Sequence, residues 1–208
     1  MTKNSAGTHL LPSEAQNAAE TACQIVTVRH IEGSKAALTY FKRECGGWTQ
    51  VFSCEANLGK CGIGKTREGD MKTPLGTFVL STPFGILPDP SLSDPAGRTA
   101  SGYLQLTDDH YWCGQNGPFY NRLIDNSNPP EGYHPTGDDE RLIRYSPAYH
   151  YGMFIEYNKE GAPSLGSAIF LHCTSGSPYT AGCVAIAEEY MRELILELGP
   201  NAVIVIYQ

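Results

Sequence analysis

The sequence predicts a β-rich domain, mainly β with one convincing helix, and three observations carry that expectation. Eight short runs of β-branched and aromatic residues recur along the chain, each bounded by Gly, Pro, Asn or Asp. A single stretch repeats its apolar residues at helical spacing. With 208 residues, 41% hydrophobic and 18% charged, the chain can bury one core, and its length suits one domain with at most a small appendage.

In chain order, residues 1–22 read as an N-terminal tail or linker, loosely attached, in which Ser13 and Gln16 would cap a short helix over Glu14 to Glu20. The domain itself is expected to run from 23 to 208. Strands are predicted at QIVTVRH (24–30), AALTYFKR (36–43), WTQVFSC (48–54), GTFVLST (76–82), GYLQLT (102–107), YGMFIEY (151–157), SAIFLH (167–172) and AVIVIYQ (202–208). Trp48 and Phe52 belong to the core. The helix is AEEYMRELILELG, where Ala187, Tyr190, Met191, Leu194, Ile195 and Leu198 recur on one face and Gly199-Pro200 stops the run. From Pro83 to Arg144 the composition shifts to Gly, Pro, Asp, Asn and Ser, which predicts long loops of the kind that form lids or binding walls. Trp112, Tyr120, Asn121, Arg144, Tyr149 and His150 lie in or beside them and are candidate walls of a substrate groove.

Lys plus Arg number 15 against 22 Asp plus Glu, a net charge of −7, which has the wrong sign for a nucleic-acid binder. No apolar run approaches the roughly 18–20 residues of a membrane helix, and the first 20 residues lack the pattern of a secretory signal. The chain is therefore expected to be cytosolic or a mature secreted protein.

GKCGIGKT, Gly59 to Thr66, matches the phosphate-loop pattern letter for letter. That pattern works only where the loop opens a helix whose amides face the phosphates. Here REGDMKTPLGTF follows, with Gly69, Thr73-Pro74 and Gly76 to break a helix, so a Gly-rich turn region is expected and no bound nucleotide.

The densest grouping of reactive side chains is GSAIFLHCTSGSPYTAGCVAIAEE, Gly166 to Glu189. A strand delivers His172 at its end, and a Gly/Ser/Pro loop returns to Gly182-Cys183 just before the helix, close enough for imidazole to meet thiol. A neighbouring imidazole can take the proton of a thiol, and amides at Gly182 and Cys183, at the mouth of the helix, could hold an oxyanion. An activated Cys183 would alkylate faster than an ordinary exposed cysteine. By spacing alone the alternatives stay open: a core histidine with a structural cysteine, or a zinc site from His172, Cys173 and Cys183 that lacks a paired C-x-x-C and a fourth ligand.

The stretch resembles the catalytic motif of the L,D-transpeptidase (YkuD-type) family, through His172 and Thr180-Ala181-Gly182-Cys183-Val184. KTREGDMKTPLGTF, Lys65 to Phe78, resembles the E-G-D-x-x-T-P-x-G-T-F signature of one branch, and YWCGQNGPFYNRLI and YGMFIEYN are weaker matches. The resemblance implies an L,D-transpeptidase-like β-sandwich, Cys183 as nucleophile, His172 as base, amides near Gly182 as oxyanion hole, Thr180 among the substrate contacts, and no metal or cofactor. It further implies acyl transfer on peptidoglycan stem peptides, with D-alanine released and the acyl group passed to an amine, by a monomer in an extracytoplasmic setting. An acidic protein can work on a carboxylate-rich wall provided its groove is not acidic. Cys173, Ala181 and Ala185 depart from the residues common at those positions, which leaves open another stem peptide, or water as acceptor in an L,D-carboxypeptidase. A non-catalytic wall-binding module is the remaining alternative. Seven cysteines in that setting predict at least one intrachain disulfide among Cys23, Cys45, Cys54, Cys61 and Cys113, with Cys183 free.

Overall fold

A computed structural model describes residues 10–208. Strands β1 (Gln24–Glu32), β2 (Lys35–Glu44) and β3 (Gly47–Asn57) form an antiparallel meander. Alternation in these strands turns Val26, Val28, Leu38 and Tyr40 inward, with no solvent exposure. After an irregular loop comes β4 (Gly76–Gly85). A long insertion then carries β5 (Leu104–Gln105), β6 (His110–Trp112), β7 (Leu123–Asp125) and β8 (Glu140–Arg141), and the chain returns through β9 (Gly152–Ile155), β10 (Phe170–Cys173), β11 (Val184–Ile186), helix α1 (Glu188–Glu197) and β12 (Val203–Tyr207).

The large sheet runs β12-β1-β2-β3-β11-β10-β9-β4-β5, and β4 also pairs with β12, so eight strands close a circuit around the main core. Met191, Leu194 and Ile195 of α1, with Leu198 just past its end, enter that core beside Leu171, Val184 and Ile204. The expected strands and the single helix are all present. The helix is shorter than expected at both ends, with Ala187 and Leu198 already extended.

Three expectations need correction. Residues 11–22 are packed rather than loose: Leu11, Ala15, Ala18, Ala19 and Ala22 are buried against Ile25, Phe41 and Val205, and the Arg43 guanidinium donates to the Ala19 carbonyl. Two 3-10 turns, Ser13–Ala15 and Ala18–Glu20, stand where one capped helix was expected, and no side chain caps either of them. Residues 1–9 of the expected tail lie outside the described residues. The stretch from 83 to 144 is not all loop, because β6, β7 and β8 form a second, three-stranded sheet. Finally, all seven cysteines are free. Cys113 is buried with Ile124 and Tyr133 under the small sheet, away from the β1–β3 meander that carries or flanks Cys23, Cys45 and Cys54.

No helix follows Thr66; residues 67–75 form turns and a single bridge between Ile63 and Thr73. The context a phosphate loop requires is therefore missing. Among the described residues no helix is long and apolar enough to cross a membrane.

Candidate active site

The two faces of the β10–β11 pair decide where the reactive residues point. These strands run parallel, with His172 opposite Ala185 and Leu171 opposite Val184. Leu171, Cys173, Val184 and Ile186 face the main core. Phe170 and Cys183 face the opposite way, into a cluster with Phe84, Trp112, Leu142 and Tyr149 supplied by β4 and the insertion. His172 and Ala185 lie on this second face and line a cavity of about 260 Å³ with Cys183. Cys173 is on the far side of the strand, so the three residues of the zinc alternative do not converge.

The Cys183 thiol is held by the segment leading into β10. Sγ donates to the Ala168 carbonyl at 3.2 Å and accepts from the Phe170 amide at 3.3 Å. Nδ1 of His172 is pinned by the Cys173 carbonyl at 2.8 Å, which makes Nδ1 the protonated nitrogen and leaves Nε2 as an acceptor. The Tyr149 ring packs edge-on to the imidazole, with centroids 5.4 Å apart. Burial pushes the Cys183 thiol up to about 12 and the His172 imidazole down to about 4. Both groups are thus neutral at pH 7, and no hydrogen bond joins them among the described residues. A preformed thiolate–imidazolium pair, and with it the expectation of fast alkylation, is not what this geometry provides.

The loop before Cys183 is tightly fixed. Thr180 Oγ1 donates to the Cys183 carbonyl at 2.7 Å and accepts from the Gly182 amide at 3.1 Å. A Cβ on Gly182 would lie 3.0 Å from the Lys72 carbonyl oxygen, so the residue permits a close backbone approach. The expected oxyanion role of the Gly182 amide meets a donor already in use. β11 also separates Cys183 from α1, so the helix end does not face the thiol.

The E-G-D-x-x-T-P block supports this loop directly. Thr73, fully buried, donates to the Cys183 carbonyl at 3.4 Å and accepts from the Gly59 amide at 2.9 Å. The Lys65 ammonium is on Asp70 at 3.1 Å, with both side chains buried. Burial works against the Asp70 charge, but the amides of Thr66, Arg67 and Lys72 and the Lys65 ammonium outweigh it and hold the carboxyl at about 2. Glu68 accepts from Tyr120 Oη and the Ser167 amide, both at 2.9 Å.

Of the residues expected to wall the groove, Tyr149 and Thr180 line the cavity, as do Lys65, Glu68 and Glu140, which sequence reasoning did not select as contacts. The others are placed elsewhere. Tyr120 reaches the site only through Glu68. Asn121 lies behind the wall: Oδ1 accepts from Trp112 Nε1 and the Ala168 amide, both at 3.0 Å, while Nδ2 donates to the carbonyls of Tyr157 and Asn158. Trp112 is buried, and Arg144 is exposed away from the cavity lining. His150 bonds Glu188 at 2.8 Å and Ser146 at 3.1 Å, outside the lining. Glu68 carried a signal in the acidic motif, whereas nothing in the Gly/Asp-rich run before Glu140 singled it out.

The L,D-transpeptidase catalytic-domain family (YkuD) matches residues 29–206. A comparison with curated protein sequences finds no match. Among solved structures, Bd1075 of Bdellovibrio bacteriovorus is similar at 17% identity and a TM-score of 0.45, over 90% of this chain and 48% of that one. The helical cell shape determining protein Pgp2 of Campylobacter jejuni gives 14% and 0.46, over 88% and 47%. The Enterococcus faecium L,D-transpeptidase C442S mutant gives 13% and 0.40, over 89% and 50%. The chain spans about half the length of these proteins.

Proposed function

The chain belongs to the YkuD family of L,D-transpeptidase catalytic domains, and from that premise we propose that it is a cysteine acyltransferase acting on peptidoglycan stem peptides outside the cytoplasm. The observation that carries the reading is the placement of Cys183 and His172 on one face of the β10–β11 pair, in one cavity, with Nδ1 of His172 pinned so that Nε2 is the free acceptor. Because both groups rest neutral, the proton moves during attack rather than before it.

As Sγ of Cys183 bonds to the carbonyl carbon of the stem's third residue, its proton passes to Nε2 of His172. Collapse of the tetrahedral species breaks the C–N bond to the terminal D-alanine, whose amine takes that proton and leaves. The thioester is then attacked by an amine of a second stem, the proton returns through His172, and the thiol is restored. The Cys183 amide would hold the oxyanion, since the Gly182 amide already donates to Thr180 Oγ1. This chain's part is to orient the imidazole through the Cys173 carbonyl and to hold the sulfur against Ala168 and Phe170.

Incubation with a stem tetrapeptide, followed by mass spectrometry, tests the reading. The expected result is a thioester on Cys183 with release of D-alanine. Faster loss of the adduct with an added amine marks a transpeptidase, and equal loss in water alone marks an L,D-carboxypeptidase. Absence of adduct and of D-alanine release leaves a non-catalytic module.

A further inference from the structure

His150 stands outside the cavity lining, in a set of contacts that the chemistry of Cys183 does not use. Its Nδ1 lies 2.8 Å from Oε2 of Glu188, the first residue of α1, and its Nε2 lies 3.1 Å from Oγ of Ser146. An ionised carboxylate only accepts, so Nδ1 carries the proton and Nε2 presents its lone pair to the serine hydroxyl. Hydroxyl, imidazole and carboxylate thus stand in the order that lets a general base take a serine proton while an acidic group holds the base. The backbone fixes serine and imidazole one turn apart. The Tyr149 amide donates to the Tyr145 carbonyl at 2.8 Å and the His150 amide to the Pro147 carbonyl at 2.9 Å. The buried Tyr149 ring anchors this turn edge-on against Phe84 and Phe170, and the Leu87 amide donates to the His150 carbonyl at 3.3 Å.

We propose that Ser146, His150 and Glu188 form a second reactive centre, with Ser146 as nucleophile, that cleaves esters of short acyl groups. It stands apart from the acyl-transfer reading, since none of the three lines the cavity of Cys183. Ser146 is exposed on an open turn, which suits a small acyl group approaching without hindrance. Oγ of Ser146 bonds to the ester carbonyl carbon as its proton passes to Nε2 of His150. Collapse of the tetrahedral species breaks the C–O bond to the alcohol, which takes that proton and leaves. Water then attacks the acyl-serine and gives its own proton to Nε2. The C–O bond to Ser146 breaks, Oγ takes the proton back, and a carboxylic acid is released. Pro147, which follows the nucleophile, carries no N–H, so the oxyanion falls to the amides of Ser146 and Ala148, neither of which makes a hydrogen bond among the described residues. Glu188 is a positioning residue: it touches no substrate and acts by holding Nδ1 of His150.

The test treats the full-length Cys183→Ala protein, which lacks the competing thiol, with an alkyl fluorophosphonate and separately with p-nitrophenyl acetate. Peptide-resolved mass spectrometry is expected to find the phosphonyl adduct on Ser146, formed about a hundredfold or more faster than on N-acetylserine amide, the range of a positioned general base. His150→Ala should remove that advantage. Glu188→Gln should lower the rate by about tenfold or more, through loss of the group that orients the imidazole, and Glu188→Asp should restore part of it. Ser146→Ala should end catalytic turnover of p-nitrophenyl acetate, and in the protein with Cys183 intact it should leave D-alanine release unchanged. Circular dichroism and melting confirm that each variant is folded. No adduct on Ser146, an equal labelling rate in His150→Ala or Glu188→Gln, or ester turnover that survives Ser146→Ala overturns the proposal.

Discussion

Alkylation of Cys183 is the sharpest probe of how this site stores its proton. The thiol is pushed up to about 12 by burial, and the imidazole that would ionise it is pushed down to about 4. At pH 7.5 a thiol titrating near 12 is ionised to about 3 parts in 100,000, against about 10% for an unstructured cysteine near 8.5, a ratio of about 3,000. The more basic thiolate is intrinsically more nucleophilic, which recovers a factor of about 25–55 for a Brønsted slope of about 0.4–0.5. Cys183 in the resting protein should therefore react with iodoacetamide about a hundredfold more slowly than a cysteine peptide, and more slowly still because only 8% of the residue is exposed. The exposed Cys23, Cys45 and Cys61 serve as internal controls. Peptide-resolved mass spectrometry between pH 6 and 10 gives the rates, and that of Cys183 should rise about tenfold per pH unit throughout. A plateau below pH 8, or a rate at pH 7.5 equal to that of the peptide, would refute the neutral pair and establish a preformed thiolate–imidazolium.

Three further outcomes are expected. Cys183→Ala should abolish D-alanine release with the fold intact, while His172→Ala should lower it by orders of magnitude and leave a residue of activity that climbs with pH as unassisted thiolate forms; undiminished turnover in Cys183→Ala would remove the proposed chemistry. Asn121→Ala removes four hydrogen bonds that tie Ala168 to Trp112 and to the turn at Tyr157–Asn158, and should destabilise the protein by about 3 kcal/mol in urea denaturation, since several buried partners lose their contacts; a loss under about 0.5 kcal/mol contradicts that structural role. The Asp70 carboxyl sits lower in the folded protein, at about 2, than its ordinary 3.8, so its contribution of about 2 kcal/mol is complete above pH 4 and disappears as the pH falls toward 2. Denaturation at pH 5 and pH 3 measures that drop, and Asp70→Asn should flatten it.

What the sequence by itself determined is whatever a local pattern can carry. Alternating apolar residues in QIVTVRH and AALTYFKR place β1 and β2, and the spacing of Met191, Leu194, Ile195 and Leu198 places α1, because a strand or helix buries one face wherever it ends up. His172 and Cys183 were singled out by the resemblance of their stretch to a family motif, since spacing alone left a structural pair or a zinc site open. The two- and three-residue strands β6, β7 and β8 were not legible, since an alternation that brief cannot be told from a turn. Nor could residues 11–22 announce that their alanines would be buried against Phe41 and Val205, a contact made across the sheet. Only the tertiary structure decided the state of the site. Whether a thiol and an imidazole rest neutral or charged depends on how much water the insertion excludes. Glu140 comes within reach of the cavity because β8 pairs with β6 under Tyr149, and Asn121 turns from a wall residue into a strut because its amide meets Ala168, 47 residues away. Desolvation and long-range pairing are properties of the assembled surfaces, and no window of the chain contains them.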